Sequence, residues 1–436
     1  MTTTTSGATT STSTSRAPET ATALNQEGAR TYTRASYPIR YGRYHELRAG
    51  PYSFQFNLNA EINRIQVRGD DWHPGEWLKR TAGGDWVYYS ADDYSGLFDL
   101  FGEHYVPCLS YPSNSAIGER PFRRAAVRSV VEAWPELVAR AIRSARAGSR
   151  EERQVLDRIA RMDAGVLAGR ADRLHRCIGG RVTVLPPDTR LVDYDVVPVT
   201  VADGCLYHCD FCRVKARERG FRVREWSDVR RQLGELRALL GADLGNYASV
   251  FLGQHDALAA GRSALVHAAE MAYCVLELER SFMRGPSLFL FGSVGSLLDA
   301  GETLFESLNA LPYSTLINIG LESADQQILD CLGKPVQATA VAEAFSRAVE
   351  INRRFHRIEV TVNFVWGPDL PPRHTESMLA LIRSELDRPC AKGTVYLSPL
   401  VRDDERRPGR RAVLREIHAI QNRCRLPVLL YLIQRL

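Results

Sequence analysis

The residues of this sequence best suited to chemistry are three cysteines, Cys205, Cys209 and Cys212, separated by three and then two residues. Iron–sulfur clusters are held by cysteine thiolates, usually four per cluster. Three thiolates on one loop can hold three irons of a four-iron cube and leave the fourth iron open to a small molecule. A zinc site with His208 as fourth ligand is the alternative, but zinc sites usually combine two separated ligand pairs. No second close pair of cysteines follows, so the cluster is favoured.

The cysteine loop belongs to a stretch in which short apolar strands alternate with helices. This alternation predicts a parallel sheet or barrel, whose reactive face lies at the carboxyl ends of the strands. We therefore expect an α/β fold, a partial (β/α)6 barrel, with the cysteines directly after its first strand. The predicted strands are 196–201, 248–253, 287–292, 315–322, 358–367 and 394–400. The helices between them are predicted at about 226–240, 260–283, 296–310, 325–331, 338–354 and 373–386.

Polar residues alternate with apolar ones along the last three of these strands. Asn318 and Glu322 share one face of the fourth strand, because side chains two residues apart point the same way. Asn363 lies on the polar face of the fifth strand and Tyr396 on that of the sixth. The pattern predicts a polar lumen with apolar side chains toward the helices, and we interpret that lumen as a substrate cavity.

The cysteine spacing, with Phe211 between the last two cysteines, resembles the C-x3-C-x-aromatic-C signature of the radical S-adenosylmethionine superfamily. The resemblance covers about residues 190–400. It implies a [4Fe–4S] cluster and S-adenosyl-L-methionine as cofactors, and a 5′-deoxyadenosyl radical that takes a hydrogen atom from the substrate. It also implies an external electron donor, such as a flavodoxin or ferredoxin.

Three further segments lie where the resemblance implies cofactor contacts. Segment 251–258 corresponds to a glycine-rich turn that holds the methionyl amino group, although only Gly253 of that pattern is retained. Segment 317–329 resembles the fourth strand of anaerobic coproporphyrinogen oxidases and elongator-type tRNA modifiers, which would place Glu322 by the methionyl amine or ribose. Segment 360–371 would pack against adenine. The expected cofactor-binding residues are Phe211, Gly253, Gln254, Ser293, Asn318, Glu322 and Asn363. The candidate catalytic acid–base residues are His255, Asp256 and Tyr396.

The chain outside the resemblance is divided by composition. Residues 1–26 are rich in Thr, Ser and Ala and are predicted to be a disordered tail. Residues 27–190 are predicted to form an α+β region that caps the open barrel and selects the substrate, ahead of the barrel at 191–400 and a helix/strand extension at 401–436. Substitutions in the cap, such as at Trp72 or Glu76, would then uncouple cofactor cleavage from product formation. The aromatic residues Trp72, Trp77, Trp86, Tyr88 and Tyr89 could stack on a ligand, but the core is the favoured interpretation.

Composition narrows the classes of protein and partner. Apolar residues make up 44% of the chain and charged residues 25%, which is typical of a soluble globular protein. No apolar run is long enough to span a membrane and no secretory leader is recognisable, so we expect a cytoplasmic location without membrane contact. Only four of the 56 basic residues are lysines. Because the arginines are spread among acidic residues, codon bias explains them better than nucleic-acid binding does.

The motifs do not name the substrate. We expect a small polar metabolite, because the chain loosely resembles radical dehydratases that deoxygenate aminosugars or aminoglycosides in antibiotic biosynthesis. A tRNA-modifying radical enzyme is the alternative, suggested by the arginine excess and the elongator-like fourth strand. A non-catalytic zinc- or cluster-binding protein is a third interpretation. Segment 71–77 departs from a cobalamin-binding pattern, since one residue instead of two separates His73 from Gly75, so cobalamin is not expected.

Overall fold

The computed structural model describes residues 20–32, 40–69, 72, 75–91, 100–102, 105–108, 121–145, 147–212, 220–367, 369–386, 389, 392–400 and 410–436. Two sheets dominate this part of the chain, an antiparallel sheet near the amino terminus and a parallel sheet after it. No helix in the described ranges is long and apolar enough to cross a membrane.

The first sheet is a seven-stranded antiparallel meander in which each strand pairs with the next along the chain. Three helices follow it, and Trp134 of the first packs edge-on against Trp86 with ring centroids 6.2 Å apart. The strands are β1 Ala21–Glu27, β2 Arg43–Ala49, β3 Tyr52–Phe56, β4 Ile62–Val67, β5 Glu76–Arg80, β6 Trp86–Ala91 and β7 Tyr105–Cys108. The helices are α1 Ala125–Ser144, α2 Arg150–Arg161 and α3 Ala164–Ile178.

The predicted tail at 1–26 overlaps this sheet. Residues 21–26 belong to β1, which pairs with β2 and ends on an ion pair between Glu27 and Arg43. The backbone ladder and the ion pair hold a strand with little apolar content, which composition alone did not reveal. Residues 1–19 lie outside the described residues.

The second sheet contains all six predicted strands in parallel, together with a seventh strand from the carboxyl-terminal extension. Helices connect and flank the strands, so the α/β barrel expectation is confirmed, with seven strands instead of six. The sheet order is β16-β15-β14-β13-β12-β11-β8, and the small β9–β10 ladder stands apart from it. The strands are β8 Val197–Thr200, β9 Ala202–Asp203, β10 Arg222–Val223, β11 Ser249–Gly253, β12 Ser287–Ser293, β13 Ser314–Glu322, β14 Ile358–Trp366, β15 Val395–Pro399 and β16 Val428–Leu430. The helices are α4 Trp226–Leu240, α5 Gly261–Val275, α6 Val294–Asp299, α7 Glu302–Ala310, α8 Gln326–Cys331, α9 Ala338–Arg354, α10 Pro372–Glu385 and α11 Arg410–Gln421.

The antiparallel sheet contacts the barrel at the amino ends of the parallel strands. Arg64 Nη2 lies 2.6 Å from Asp193 Oδ2, and Lys79 Nζ lies 2.7 Å from Asp195 Oδ1. Both aspartates precede β8, whereas the cysteine loop follows that strand. The backbone N–H of Leu58 donates to Asp243, which precedes β11. The described strands of region 27–190 therefore contact the end of the barrel opposite the cysteines, and the substrate-capping role of the region stays a prediction.

The aromatic residues of the antiparallel sheet are core residues, as favoured above. Trp77 is completely buried, and Tyr88 and Tyr89 are almost so. Trp72 donates its indole N–H to the carbonyl of Glu76 at 2.9 Å, and its ring meets that of Tyr88 edge-on. These side chains are surrounded by other residues of the protein, and their packing stabilises the sheet.

Trp72→Ala is therefore expected to destabilise the fold without changing the chemistry at the cysteine loop. Truncation of a buried Trp typically costs about 3–5 kcal/mol, because the cavity is only partly refilled. Guanidinium unfolding followed by circular dichroism measures the loss, with Trp72→Phe as the milder comparison. If Trp72→Ala has normal stability and cleaves the cofactor without forming product, the result would support the capping role instead.

Candidate functional site

The cysteine loop leaves the barrel directly after β8. Its base is the antiparallel pairing of β9 with β10, closed by an ion pair in which Arg224 Nη2 lies 2.6 Å from Asp203 Oδ1. Gly204 has φ +82°, and a Cβ there would overlap the carbonyl oxygen of Gly220. Only glycine therefore fits between the two strands at the point where the loop begins.

Burial raises the pKa of two of the three thiols on this loop, Cys205 and Cys209. The pKa of Cys209 rises to about 11, and Cys205 shifts in the same direction, with the Asp256 carboxylate adding to the effect of burial. Both thiols are therefore protonated at neutral pH without a bound cation. Metal ligands must be thiolates, so a positively charged group bound here would supply the charge that ionises them.

The donor set of the loop differs from that of a single-ion site. His208, the fourth ligand considered for zinc, is exposed, whereas Cys209 is buried. Within the described ranges, no three His, Cys, Asp or Glu side chains form a group that could hold one metal ion. A tetrahedral zinc site needs its ligands about 2.0–2.3 Å from one centre. Three thiols on one loop suit a group with several metal atoms, such as an iron–sulfur cube with one open iron.

Tyr207 connects the cysteine loop to the neighbouring strand ends. Its hydroxyl accepts a hydrogen bond from the Gly295 N–H at 2.8 Å, at the start of α6. Its own N–H donates to Cys205 Sγ at 3.4 Å. A Cβ on Gly295 would lie 2.8 Å from the hydroxyl, so a glycine there allows the close approach.

The far end of the loop is anchored to the segment after α8. The Asp210 N–H donates to the Leu332 carbonyl at 3.0 Å, and Phe211 packs against Ile328, Leu332 and Val365. Phe211 thus fastens the loop to α8 and to β14. A direct contact between Phe211 and the cofactor stays a prediction.

Glu322 and Lys334 form a charged pair beside the cysteines. Lys334 Nζ donates to the Gly320 carbonyl at 2.7 Å and lies 3.4 Å from Glu322 Oε1. The Lys334 and Glu322 side chains are 4% and 13% exposed, and their charges have opposite effects on the pKa of Cys209. Glu322 lies at a bulge in β13 with φ +68°, which aims its carboxylate back along the strand end.

Sequence reasoning identified Glu322 but missed Lys334. Two features of the sequence could have pointed to Lys334. The chain has only four lysines, and Lys334 belongs to the L-G-K tripeptide after α8. An adjacent carboxylate and ammonium can bind the ammonium and the carboxylate of an amino acid, because each charge meets its opposite.

Asp256 is a buried carboxylate at the end of β11. Its Oδ1 accepts from the Ser293 N–H at 3.1 Å and from the Ser296 hydroxyl at 2.7 Å. Its Oδ2 is buried and has no hydrogen-bond partner among the described residues. Burial raises the pKa of Asp256 and lowers that of His255, so the pair favours a protonated carboxyl and a neutral imidazole.

Ser293, predicted to touch the cofactor, is the N-cap of α6 and accepts from the Ser296 N–H. Ser296 was not predicted, although the S-x-x-S spacing is that of a capping pair. Gln254 lies close to Gly180, just past the end of α3, so that helix reaches the same end of the barrel as the cysteines. Cofactor contacts of Gly253, Gln254 and Ser293 stay predictions.

The predicted polar face inside the sheet is confirmed by its hydrogen bonds. Asn363 Nδ2 donates to Asn318 Oδ1 at 2.6 Å, and Asn318 Nδ2 donates to Thr361 Oγ1 at 2.9 Å. These side chains bind one another and are almost fully buried. In this part of the lumen, polar side chains therefore fill space that the sequence suggested as a substrate cavity.

Tyr396 makes its contacts inside the barrel, and its expected catalytic role stays a prediction. Its hydroxyl donates to Asp188 Oδ1 at 2.6 Å and accepts from Arg190 Nε at 3.1 Å. Tyr396 is 1% exposed, and burial raises its pKa well above the usual value. Asp188 also accepts from the Thr361 hydroxyl, so it joins two strands from inside. Sequence reasoning read the 185–190 segment as a boundary and missed this internal role.

Comparisons with known proteins give only distant similarities. No protein-family model and no curated protein matches the sequence. Among solved structures, the chain is similar to the cobalamin-dependent S-adenosylmethionine radical enzyme OxsB, at 14% identity over 44% of this chain and 27% of that one, with a TM-score of 0.32. This chain thus matches about a quarter of the length of OxsB.

Two other solved structures match a larger share of their own length. SuiB from Streptococcus suis is similar at 11% identity over 82% of this chain and 71% of that one, with a TM-score of 0.36. Methylornithine synthase PylB is similar at 12% identity over 70% and 84% of the two chains, with a TM-score of 0.34. These values are too low to assign an activity, a substrate or a cofactor to this chain.

Proposed function

We propose that this protein is a radical S-adenosylmethionine enzyme in which Cys205, Cys209 and Cys212 hold one [4Fe–4S] cluster. The observation that carries the proposal is a loop with three cysteines, placed beside a carboxylate–ammonium pair at the carboxyl end of a parallel barrel. When bound, the cluster and S-adenosylmethionine supply an electron and a 5′-deoxyadenosyl radical that takes a hydrogen atom from the substrate.

The protein groups around the loop bind and orient the cofactor. Lys334 offers an ammonium to a carboxylate, and Glu322 offers a carboxylate to an ammonium, so together they match the methionyl end of S-adenosylmethionine. Tyr207 and Phe211 hold the loop against α6 and α8, which keeps the three thiols in one arrangement. Precise placement and exclusion of water are the main contributions of a protein to cofactor chemistry of this kind.

Asp256 and His255 are the proposed acid–base groups for the substrate. The Asp256 carboxyl is held through one oxygen, while the other oxygen has no hydrogen-bond partner among the described residues. Burial raises the pKa of Asp256, which favours the protonated form that a general acid needs. A buried carboxyl beside a neutral imidazole suits a substrate with hydroxyl and amino groups.

A small polar metabolite such as an aminosugar is the proposed substrate, and a flavodoxin or ferredoxin is the proposed electron donor. Many described arginines pair with carboxylates of this chain, as Arg64 does with Asp193 and Arg224 with Asp203. Arginines neutralised in this way leave less charge for a polynucleotide. The paired arginines therefore favour a small substrate over tRNA.

The test is anaerobic reconstitution with iron and sulfide, followed by measurement of 5′-deoxyadenosine with and without aminosugar and aminoglycoside candidates. We expect one four-iron cluster per chain and substrate-stimulated 5′-deoxyadenosine. Tight filter binding of tRNA would favour the tRNA-modifying alternative. About one zinc and no iron per chain would remove the enzyme proposal.

Asp256→Asn is expected to keep the cluster and the cofactor affinity while product formation falls about 10²- to 10⁴-fold, the usual contribution of a general acid or base. The amide keeps an oxygen for the Ser293 and Ser296 donors but loses the proton.

Because folding raises the pKa of Asp256, the wild-type carboxyl destabilises the fold as pH rises above its unfolded pKa of about 3.9. The variant should lack this loss, which urea unfolding at pH 4 and pH 7 measures. Unchanged product formation would mean that Asp256 serves only to hold Ser293 and Ser296 at the start of α6.

A further inference from the structure

His374, at the start of α10, is a buried histidine bonded through both ring nitrogens. Its Nε2 lies 2.7 Å from the Val365 carbonyl oxygen, and its Nδ1 lies 2.9 Å from Ser323 Oγ. A carbonyl can only accept, so Nε2 carries the proton and Nδ1 accepts from the Ser323 hydroxyl. Burial lowers the pKa of His374, which favours this neutral form. The ring therefore links the carboxyl end of β13 to that of β14.

Ser323 also forms a hydrogen bond at the start of α8, so it connects that helix to His374. It is completely buried, and its Oγ accepts from the Asp325 N–H at 3.1 Å. Asp325 in turn accepts from the Ile328 N–H, which makes it the N-cap of α8. One hydroxyl thus receives a backbone donor from the helix cap while it donates to the histidine.

The segment pinned in this way carries both members of the charged pair. Glu322 is the residue before Ser323, and Lys334 lies just beyond the end of α8. Glu322 holds a positive φ of +68°, a conformation that a non-glycine residue keeps only when its surroundings impose it. The hydrogen bond from Ser323 to His374 holds the residue directly after Glu322 and so helps to impose this conformation.

We infer that His374 is a positioning residue that, through Ser323, holds Glu322 and the α8 segment in the orientation that binds the cofactor. The inference rests on the proposed function, because the ligand of Glu322 and Lys334 is taken to be S-adenosylmethionine. His374 itself touches neither the cysteines nor the charged pair in any described hydrogen bond. Its effect passes through the backbone between Ser323 and Glu322.

The test uses the reconstituted full-length chain and calorimetric titration with S-adenosylmethionine. Ser323→Ala and His374→Phe are expected to weaken binding about tenfold with unchanged iron content, because each removes the link and not the charged groups. His374→Asn should retain more affinity than His374→Phe, since its side-chain oxygen can still accept from Ser323. Glu322→Gln should weaken binding about 10- to 100-fold in the wild-type background but less than about threefold after Ser323→Ala, because the two changes break one arrangement.

Asn352→Ala is the matched control. Asn352 makes two hydrogen bonds to the backbone of Val360, at the opposite end of β14, at 2.8 and 2.7 Å. Its loss should lower the melting temperature without changing cofactor affinity. The inference is overturned if wild type binds the cofactor and the Ser323 and His374 variants bind it equally well, or if their effects add fully to that of Glu322→Gln. A wild-type chain that carries the cluster but does not bind S-adenosylmethionine would instead refute the proposed function, and the inference with it.

Discussion

Alanine at any one of Cys205, Cys209 and Cys212 is expected to abolish both the brown absorbance of the cluster and the formation of 5′-deoxyadenosine. Three thiolates already leave one iron without a protein ligand, and two would leave a second iron unheld. His208, the histidine in the described part of the loop, is exposed, whereas Cys209 is buried. Iron and sulfide analysis after anaerobic reconstitution measures the loss directly.

Cys177→Ala and Cys424→Ala are the controls for this experiment. Cys177 is buried against α4, where its thiol donates to the Gln232 carbonyl, and Cys424 follows α11. Neither residue belongs to the cysteine loop, so both variants should take up full iron and keep the absorbance. Full iron content in Cys209→Ala would contradict the assignment of the loop as the cluster site.

Removal of either charge of the Glu322–Lys334 pair is expected to produce the second large effect. A hydrogen bond to a charged group contributes about 1.5–3 kcal/mol, so Glu322→Gln and Lys334→Met should each weaken S-adenosylmethionine binding about 10- to 100-fold. The cluster should remain, because neither residue is on the cysteine loop. Calorimetric titration of the reconstituted variants gives the affinities, and iron analysis shows that the cluster is present.

Lys392→Met separates the role of charge at Lys334 from the general role of a buried lysine. Lys392 also donates to backbone carbonyls, those of Asn352 and Phe355, at 3.1 and 2.5 Å. Its replacement should lower stability and leave cofactor affinity unchanged. Equal losses of affinity in Lys334→Met and Lys392→Met would mean that Lys334 acts only through the fold.

Local patterns in the sequence predicted the barrel well. All six strands were identified from apolar periodicity, which depends only on neighbours along the chain, whereas the predicted helix at 296–310 is two helices, Val294–Asp299 and Glu302–Ala310. The predicted helix at 260–283 is the clearest difference, since α5 ends at Val275 and a short 3-10 turn follows at Leu278–Arg280. The break falls where Glu277 adopts a left-handed backbone conformation, for which periodicity carries no signal.

The position of the amino-terminal region could not be read from the sequence. Its aromatic and polar residues suggested a cover over the reactive end, but Arg64 and Lys79 bind Asp193 and Asp195 at the other end of the barrel. These partners are more than one hundred residues apart in the chain. Charge complementarity between such distant residues decides the docking, and no local pattern reports it.

The sequence by itself determined the chemistry that this protein can attempt. The spacing of Cys205, Cys209 and Cys212 defines the donor set, and the alternation of strands and helices places that set at the carboxyl end of a parallel sheet. Both properties are local, because they depend on residue type and on the geometry of one strand or loop.

Only the tertiary structure decided which other side chains serve that loop. It brought Lys334 beside Glu322, joined Ser323 to His374, and brought Tyr396 into hydrogen-bond contact with Asp188. Each of these contacts pairs residues from different elements, whose approach depends on how the sheet twists and the helices pack. Buried polar groups must find partners, and the folded chain selects which partners lie within reach.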